Sequence, residues 1–251
     1  MEVIEVNFKK TVTRIGFLAA TVALATAGVA GTSAAQENIV GGSVVTVAPS
    51  WAAAVGDSSG MWCSGTLVSS QWVLTAGHCS GATRVRIGSK DLNSGGQVRT
   101  VSRSVKHPNY NNSAYDFRLY KLSSTVTLAP ATLGTTSPAV GSSAGLYGFG
   151  QTCAPYGCGD MSPVLKTVGT TLTTDSACGG ITGSVELCFD TSTTATDCYG
   201  DSGGPAFVAG RLVGVVSRGA TGSGSSTCGR TNSIFGDVTA VRSWITTTIA
   251  S

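Results

Sequence analysis

Residues 197–205 read Asp-Cys-Tyr-Gly-Asp-Ser-Gly-Gly-Pro, the composition of a tight turn that is lined with glycine and carries a single serine. Gly200, Gly203 and Gly204 accept backbone angles that other residues avoid, so the main chain can lie close to a bound molecule. The N–H groups of Gly200 and Ser202 are two residues apart, a spacing at which both can point at one developing oxyanion. Ser202 is therefore a candidate nucleophile, and the alternative is an ordinary surface turn rich in glycine and serine.

A serine nucleophile needs a base, and the base needs an acid that orients it. Only two histidines are present: His78 lies in Leu-Thr-Ala-Gly-His-Cys at 74–79, whereas His107 begins His-Pro-Asn-Tyr, which indicates a surface loop. Asp116 is flanked by apolar and aromatic residues in Tyr-Asp-Phe-Arg-Leu at 115–119. An imidazole titrates at about pH 6.5 and so accepts and returns a proton at neutral pH. His78 and Asp116 are therefore the candidate base and orienting acid.

The motifs around His78, Asp116 and Ser202, in this order, resemble those of the chymotrypsin-like serine peptidases. The order differs from that of subtilisins and α/β-hydrolases. Ile-Val-Gly-Gly at 39–42 is similar to the new N-terminus that the family's members expose on activation. The resemblance extends from Ile39 to the C-terminus, and it implies an all-β fold of two packed six-stranded antiparallel β-barrels with a C-terminal α-helix and the site between the barrels.

Hydrophobic patterning agrees with a fold made of strands. Polar and apolar residues alternate at 84–87 and 98–101, which is typical of half-buried strands, and Leu212–Ser217 is a continuous apolar run. Turn-forming residues, such as Asn-Ser-Gly-Gly at 93–96, separate these runs. Near the end, apolar residues recur at helical spacing and predict an amphipathic helix: Val238, Val241, Trp244, Ile245 and Ile249.

Composition restricts the class of protein. The 251 residues are 41% hydrophobic and only 12% charged, with 34 glycines, which favours one β-rich secreted protein over a helical cytosolic one. A net charge of +3 without a basic cluster argues against nucleic acid and membrane surfaces as partners. We expect a monomer that acts on protein or peptide substrates, with proteinaceous inhibitors as further candidate partners.

The first 35 residues have the pattern of a secretion signal. Lys9, Lys10 and Arg14 precede an apolar run at 15–30, and small residues follow at 31–35. A membrane anchor is the alternative, but the run is shorter than the roughly 20 residues that span a bilayer. We therefore predict cleavage near residue 35 and an extracellular location.

Residues 36–38 then form a very short propeptide, and residues 39–251 form the peptidase domain. The resemblance implies that cleavage frees the amine of Ile39, which pairs with Asp201. A buried carboxylate without a partner is costly, so this ion pair would order the turn around Gly200. The residue before the cleavage point is Asn38, not Lys or Arg, which argues against self-activation by a basic-specific enzyme.

Eight cysteines behind a signal segment predict four disulfides, although cysteine counting leaves the pairing open. Their scattered spacing argues against zinc. We expect no cofactor and no metal, because the family's calcium loop is acidic whereas its counterpart at 88–93 is not. The resemblance implies these pairs: Cys63–Cys79, Cys178–Cys188, Cys198–Cys228 and, by remainder, Cys153–Cys158.

The resemblance also places the primary specificity pocket. Its predicted lining is Thr196, Asp197, Ser217, Gly219 and Ser233, and Ser217 corresponds to the serine that hydrogen-bonds the triad acid. Trypsin-like members carry an aspartate where this chain has Thr196, but the neighbouring Asp197 offers a carboxylate one step nearer the mouth. We expect cleavage after Arg or Lys, because a substrate cation would neutralise that carboxylate. If local groups satisfy Asp197, the pocket takes Phe, Tyr or Leu instead.

The sequence therefore predicts a secreted serine endopeptidase that works through an acyl-enzyme, with Ser202, His78 and Asp116 as the triad and Gly200 and Ser202 as oxyanion donors. Two other hypotheses belong to different classes: an inactive relative that serves as a binding module, and a disulfide-rich structural β-domain with a chance motif. The first is disfavoured because all three triad residues are retained, and the second because the motifs occur in order. Asn111 begins a glycosylation sequon.

Overall fold

A computed structural model describes residues 39–221 and 226–251. The predicted signal and propeptide, residues 1–38, lie outside the described residues. Within the described residues, no helix is both long enough and apolar enough to cross a bilayer.

The first half of the domain is a closed barrel of six antiparallel strands, in the order β2-β3-β4-β7-β6-β5. The predicted strands at 84–87 and 98–101 are present, the second as part of a longer strand. Val85 and Ile87 are fully buried because alternate side chains of a strand point to the same face. The strand bounds are β2 Ala52–Gly56, β3 Met61–Ser69, β4 Trp72–Thr75, β5 Arg84–Ile87, β6 Gln97–Lys106 and β7 Arg118–Leu122.

The second half is a sheet of seven strands in the order β1-β9-β10-β13-β12-β11-β8. Strand β8 pairs with β11 and also with β9, so six of the strands close a ring and β1 is an added edge strand. The predicted two-barrel, all-β architecture is therefore confirmed. The strand bounds are β1 Ser43–Val44, β8 Ser143–Gly148, β9 Lys166–Thr173, β10 Glu186–Asp190, β11 Pro205–Val208, β12 Arg211–Gly219 and β13 Ser233–Asp237.

The chain ends in one helix, α1, at Arg242–Ile249. The predicted apolar spacing began at Val238, but Val238 and Val241 precede the helix and lie in the buried core of the first barrel. Ile245 is fully buried in the same core. A helix from the end of the chain therefore covers the half of the domain that is built from its beginning.

His107 is not the surface-loop residue that its sequence context indicated. It is 6% exposed, and its ring stacks on Tyr115 at 4.9 Å and meets Trp244 of α1 edge-on at 4.7 Å. Its Nδ1 accepts the N–H of Asn109 at 3.2 Å, and burial lowers the pKa of the imidazole. The ring is therefore a neutral, aromatic part of the packing beside Asp116.

The loop after β5, which the sequence marked as the counterpart of a calcium loop, is organised by a side chain. The guanidinium of Arg86 donates to the carbonyls of Leu92 at 2.8 Å, Asn93 at 3.0 Å and Gly95 at 2.5 Å. Arg86 is 9% exposed. A buried positive charge thus satisfies carbonyl groups that converge on the inside of the loop.

Four disulfides tie the domain, in the same pairs that the resemblance implied. The bridge from Cys63 joins β3 to the segment that carries His78, and Cys198–Cys228 joins the serine turn to the segment before β13. A disulfide typically contributes about 2–4 kcal/mol, mainly by restricting the unfolded chain.

Candidate active site

The serine turn is held between the two barrels. The Ser64 N–H donates to the Ser202 carbonyl at 2.9 Å, and the Ser64 hydroxyl donates to the Gly200 carbonyl at 3.0 Å. Gly203 has a φ of +80°, and a Cβ atom there would lie 2.0 Å from the Thr75 hydroxyl and 2.5 Å from the Ser64 carbonyl. Only glycine fits, because β3 and β4 of the first barrel occupy the space.

Asp116, only 3% exposed, is held by groups from both barrels. One carboxylate oxygen accepts the backbone N–H of His78 at 2.9 Å. The other lies 2.7 Å from His78 Nδ1 and accepts the Ser217 hydroxyl at 2.7 Å. The carboxylate therefore fixes the imidazole ring and leaves Nε2 as the nitrogen available to other groups.

His78 and Ser202 line one cleft of about 670 Å³. In the described part of the chain, no hydrogen bond joins the Ser202 hydroxyl to the imidazole, and the N–H groups of Gly200 and Ser202 donate to no protein acceptor. Such contacts are often loose without substrate. The two N–H groups are thus available to a substrate, and Gly200 has a φ of +95°, which glycine tolerates.

The cleft continues into a pocket that contains Asp197. Its carboxylate is nearly buried, and one of its two oxygens has no hydrogen-bond partner among the described residues. Burial raises the pKa of Asp197, and the side chain of Ser233 counteracts part of that effect. Gly219 lines the pocket, and a Cβ there would meet only the Thr231 hydroxyl, at 3.4 Å. The entrance is therefore unobstructed at this glycine.

Of the other predicted pocket residues, two line the cleft and one does not. Ser217 and Ser233 line the cleft. Thr196 is fully buried, and its hydroxyl donates to the Asp197 carbonyl at 3.0 Å. It is not among the cleft-lining residues, so Asp197 is the acidic group that the pocket presents.

Asp201, the residue before the serine, is almost fully buried. Its two carboxylate oxygens accept the backbone N–H groups of Gly150 at 2.7 Å and Cys198 at 2.8 Å. Burial nevertheless raises the pKa of Asp201 to about 7, with Asp197 adding to the effect. Two backbone donors alone therefore leave this carboxylate short of stabilisation, while Ile39 is also buried, in the core of the second barrel.

The sequence interpretation missed several groups at the cleft. Trp62, Tyr199 and Arg218 line it, and Arg218 forms an ion pair with Glu186. A signal was available for Arg218, since it is a charged residue directly after the apolar run that ends at Ser217.

One cluster of potential metal ligands lies beside the cleft, made of His78, Cys63 and Cys79. Both sulfurs belong to the same disulfide, so they offer no thiolate to a metal.

Two antiparallel barrels and a cleft that brings together a serine turn, a histidine and a buried aspartate define a serine endopeptidase, a hydrolase of peptide bonds. The family model described as Trypsin matches residues 39–245, and the chain belongs to the trypsin family.

Individual proteins agree with this placement. The chain is 35% identical over 228 residues to trypsin 5G1 of Aedes aegypti, covering 82% of this chain and 83% of that protein. It is 31% identical over 226 residues to trypsin delta of Drosophila melanogaster, covering 82% and 87%. Among solved structures it resembles neuropsin, a serine protease expressed in the limbic system of mouse brain. That match has a TM-score of 0.72 and 30% identity, covering 80% of this chain and 94% of that chain.

The close packing around Gly203 predicts that one added methyl group there reduces activity, whereas the same change at an unpacked glycine does not. Gly203→Ala should displace the serine turn, because the new Cβ would overlap β3 and β4. We expect peptide hydrolysis to fall by about 100-fold, the scale of a 1 Å misplacement of a catalytic group. Gly210→Ala is the control: Gly210 has a similar φ of +72° but no atoms within 4 Å, so it should lose only roughly 1–2 kcal/mol of stability. Equal activities of the two folded variants would contradict this account.

Proposed function

We propose that the chain hydrolyses peptide bonds with Ser202 as nucleophile, His78 as general base and Asp116 as the orienting acid. One observation supports this most strongly: a buried Asp116 carboxylate lies 2.7 Å from Nδ1 of an imidazole that lines the same cleft as Ser202, which leaves Nε2 as the nitrogen available to act as base. The order of roles follows from charge. The base gains a proton during attack, and the resulting imidazolium is stabilised by the carboxylate beside it.

In the reaction, Ser202 Oγ attacks the substrate carbonyl while His78 Nε2 takes the hydroxyl proton. The carbonyl oxygen becomes an oxyanion, and the N–H groups of Gly200 and Ser202 stabilise it. His78 then gives the proton to the leaving amine, and the C–N bond breaks to leave an acyl-enzyme. Water, deprotonated by the same imidazole, attacks the ester and releases Ser202.

We further propose that the pocket prefers Arg or Lys before the scissile bond. One Asp197 oxygen has no hydrogen-bond partner in the part of the chain that the structure describes, and this supports the proposal because a buried carboxylate gains most from a cation placed directly against it. A chymotrypsin-like preference for Phe, Tyr or Leu is the second candidate. The raised pKa of Asp197 favours that candidate at low pH, where a protonated, neutral carboxyl no longer attracts a cation.

Activation is proposed to follow cleavage between Asn38 and Ile39. The raised pKa of Asp201 supports this, since a protonated amine would supply the missing counter-charge. Glycines surround the carboxylate: a Cβ at Gly148 or Gly150 would lie 1.9 and 2.2 Å from its oxygens. An ion pair there would hold the turn on which the oxyanion donors lie.

The remaining proposals concern location and partners. Four disulfides and the predicted signal at residues 1–35 support secretion into an oxidising environment. The substrates of a serine endopeptidase are peptides and proteins. We also propose that the protein is a monomer and that proteinaceous inhibitors bind in its cleft.

The triad assignment predicts that Ser202→Ala loses roughly 10⁴- to 10⁶-fold in kcat while it keeps its fold. Peptide hydrolysis and thermal unfolding measure the two effects, with the exposed helix variant Ser243→Ala as control. A sulfonyl fluoride should label Ser202 in the active protein, as located by peptide mass spectrometry. Near-normal turnover by Ser202→Ala would refute the assignment, and an inert, unlabelled parent protein would favour the binding-module alternative.

Asp197 predicts the substrate preference. Arginine and its neutral analogue citrulline have nearly the same shape, so the ratio of their kcat/KM values isolates the charge interaction. We expect arginine to be favoured by about 100-fold or more, as for buried charge pairs. The ratio should fall as pH drops toward the raised pKa of Asp197, and Asp197→Asn should abolish it, whereas the exposed Asp160→Asn should not. A greater kcat/KM for Phe or Leu substrates at neutral pH would establish the second candidate.

The proposed ion pair predicts that only protein beginning at Ile39 is active. N-terminal sequencing of separated fractions should show that material retaining residues 36–38 is nearly inactive. Asp201→Asn should also be nearly inactive even when it begins at Ile39. Activity should decline at alkaline pH, above the pKa of about 8 of a free α-amine, because the ion pair raises the pKa of the amine and is lost when the amine gives up its proton. Full activity in protein that begins before Ile39 would disprove this mechanism.

A further inference from the structure

The Arg218 guanidinium lies beside Ser217, the residue whose hydroxyl donates to Asp116, the candidate triad acid. It donates to both carboxylate oxygens of Glu186, at 2.5 and 3.0 Å, in a two-pronged ion pair. The Glu186 side chain is 1% exposed and that of Arg218 24%. Glu186 also accepts the backbone N–H of Thr182 at 2.7 Å. The buried carboxylate is therefore fully paired, and the guanidinium is held in one orientation.

The same guanidinium reaches three further acceptors. It donates to the Ser113 carbonyl at 3.2 Å, to the Gly180 carbonyl at 2.9 Å and to the Ser217 hydroxyl oxygen at 3.3 Å. Ser113 lies three residues before Asp116, and Ser217 is the residue that donates to the Asp116 carboxylate. Arg218 thus contacts the loop that leads into Asp116 and the hydroxyl that binds its carboxylate.

A hydroxyl group has one proton and two lone pairs. When the Ser217 oxygen accepts from Arg218, its proton is directed away from the guanidinium, and Asp116 is the acceptor that it meets at 2.7 Å. We propose that Arg218, held by Glu186, is a positioning residue that orients the Ser217 hydroxyl and the loop at Ser113 so that Asp116 keeps its alignment with His78. This inference rests on the proposed triad.

The pair also has an electrostatic effect of predictable sign. The positive charge of Arg218 disfavours a protonated imidazole at His78, and the negative charge of Glu186 favours it. Removing the charge of Glu186 alone should therefore move the acid limb of the pH–rate profile down. Arg218→Met instead leaves the Glu186 carboxyl buried without a counter-charge, so this carboxyl takes up a proton and the variant keeps no uncompensated charge at the pair.

Other charged or titratable groups face this region and are constant among the variants. Arg118 donates to the Gly77 carbonyl beside His78, and Asp197 lies in the same cleft as Arg218. Burial and the charge of Asp116 raise the pKa of Tyr110, while Arg118 and Arg218 oppose that effect. A difference between variants of Arg218 and Glu186 thus reports the pair itself.

The experiment compares Arg218→Met, Glu186→Gln and the double variant, each beginning at Ile39. The kcat/KM of a substrate with leucine before the scissile bond is measured from pH 5 to 9, with Asp197→Asn present in the parent and in every variant so that residue 197 does not titrate. We expect the acid limb to move down by roughly half a pH unit in Glu186→Gln and to stay near that of the parent in Arg218→Met and in the double variant. We also expect kcat to fall about tenfold in Arg218→Met, with a smaller change in KM.

Arg218→Lys separates charge from geometry, because lysine keeps the positive charge but lacks the planar fork. It should leave the acid limb near that of the parent while kcat still falls. It also keeps the test decisive if Arg218→Met does not fold. Arg211→Met, at the exposed far end of the same strand, is the matched control and should change neither quantity.

An acid limb that stays in place in Glu186→Gln would overturn the proposal, as would an unchanged kcat in Arg218→Lys. Failure of the triad assignment is recognised separately, because Ser202→Ala would then retain activity whatever the Arg218 variants show.

Discussion

The structure depends on the burial of one carboxylate, that of Asp116, between two barrels that are formed by different parts of the chain. Asp116 and His78 belong to the first barrel, whereas the Ser217 hydroxyl that completes the set comes from the second. An unpaired carboxylate at this depth would cost several kcal/mol, so the donors are arranged around it in the folded state. The same packing of one barrel on the other places the serine turn against β3 and β4, and these strands leave no room for a side chain at Gly203.

The features that sequence reasoning predicted correctly depend on neighbours along the chain. Alternation at 84–87 gives a strand because its period matches the pleat, and the apolar run at 212–217 gives a central strand because both faces are covered. The turn at 197–205 was recognisable because three glycines, a serine and a proline occur together within this short segment. The fold class could therefore be predicted before any contact was known, and the same kind of local motif supplied the triad residues that we propose.

The features that were missed depend on contacts between distant segments. His107 looked like a loop residue, but α1, at the far end of the chain, covers it with Trp244. Arg218 follows the apolar run at 212–217 and has no sequence signal for a partner, but Glu186, 32 residues earlier, holds it beside the cleft. Both side chains are covered by residues that are distant in the sequence, and the spacing of neighbouring residues does not identify such distant partners.

The three acidic residues of the site differ in how completely the protein satisfies them, and this difference separates their proposed roles. Asp116 is fully paired, which suits a group whose charge must persist throughout turnover. Asp201 has two backbone donors but an elevated pKa, which suits a carboxylate that waits for an amine made by cleavage. Asp197 has one oxygen without a hydrogen-bond partner among the described residues, which suits a group whose proposed partner is the substrate itself. Asp201 and Asp197 can therefore each gain stabilisation from an added cation, which the proposed amine and the proposed basic substrate would supply.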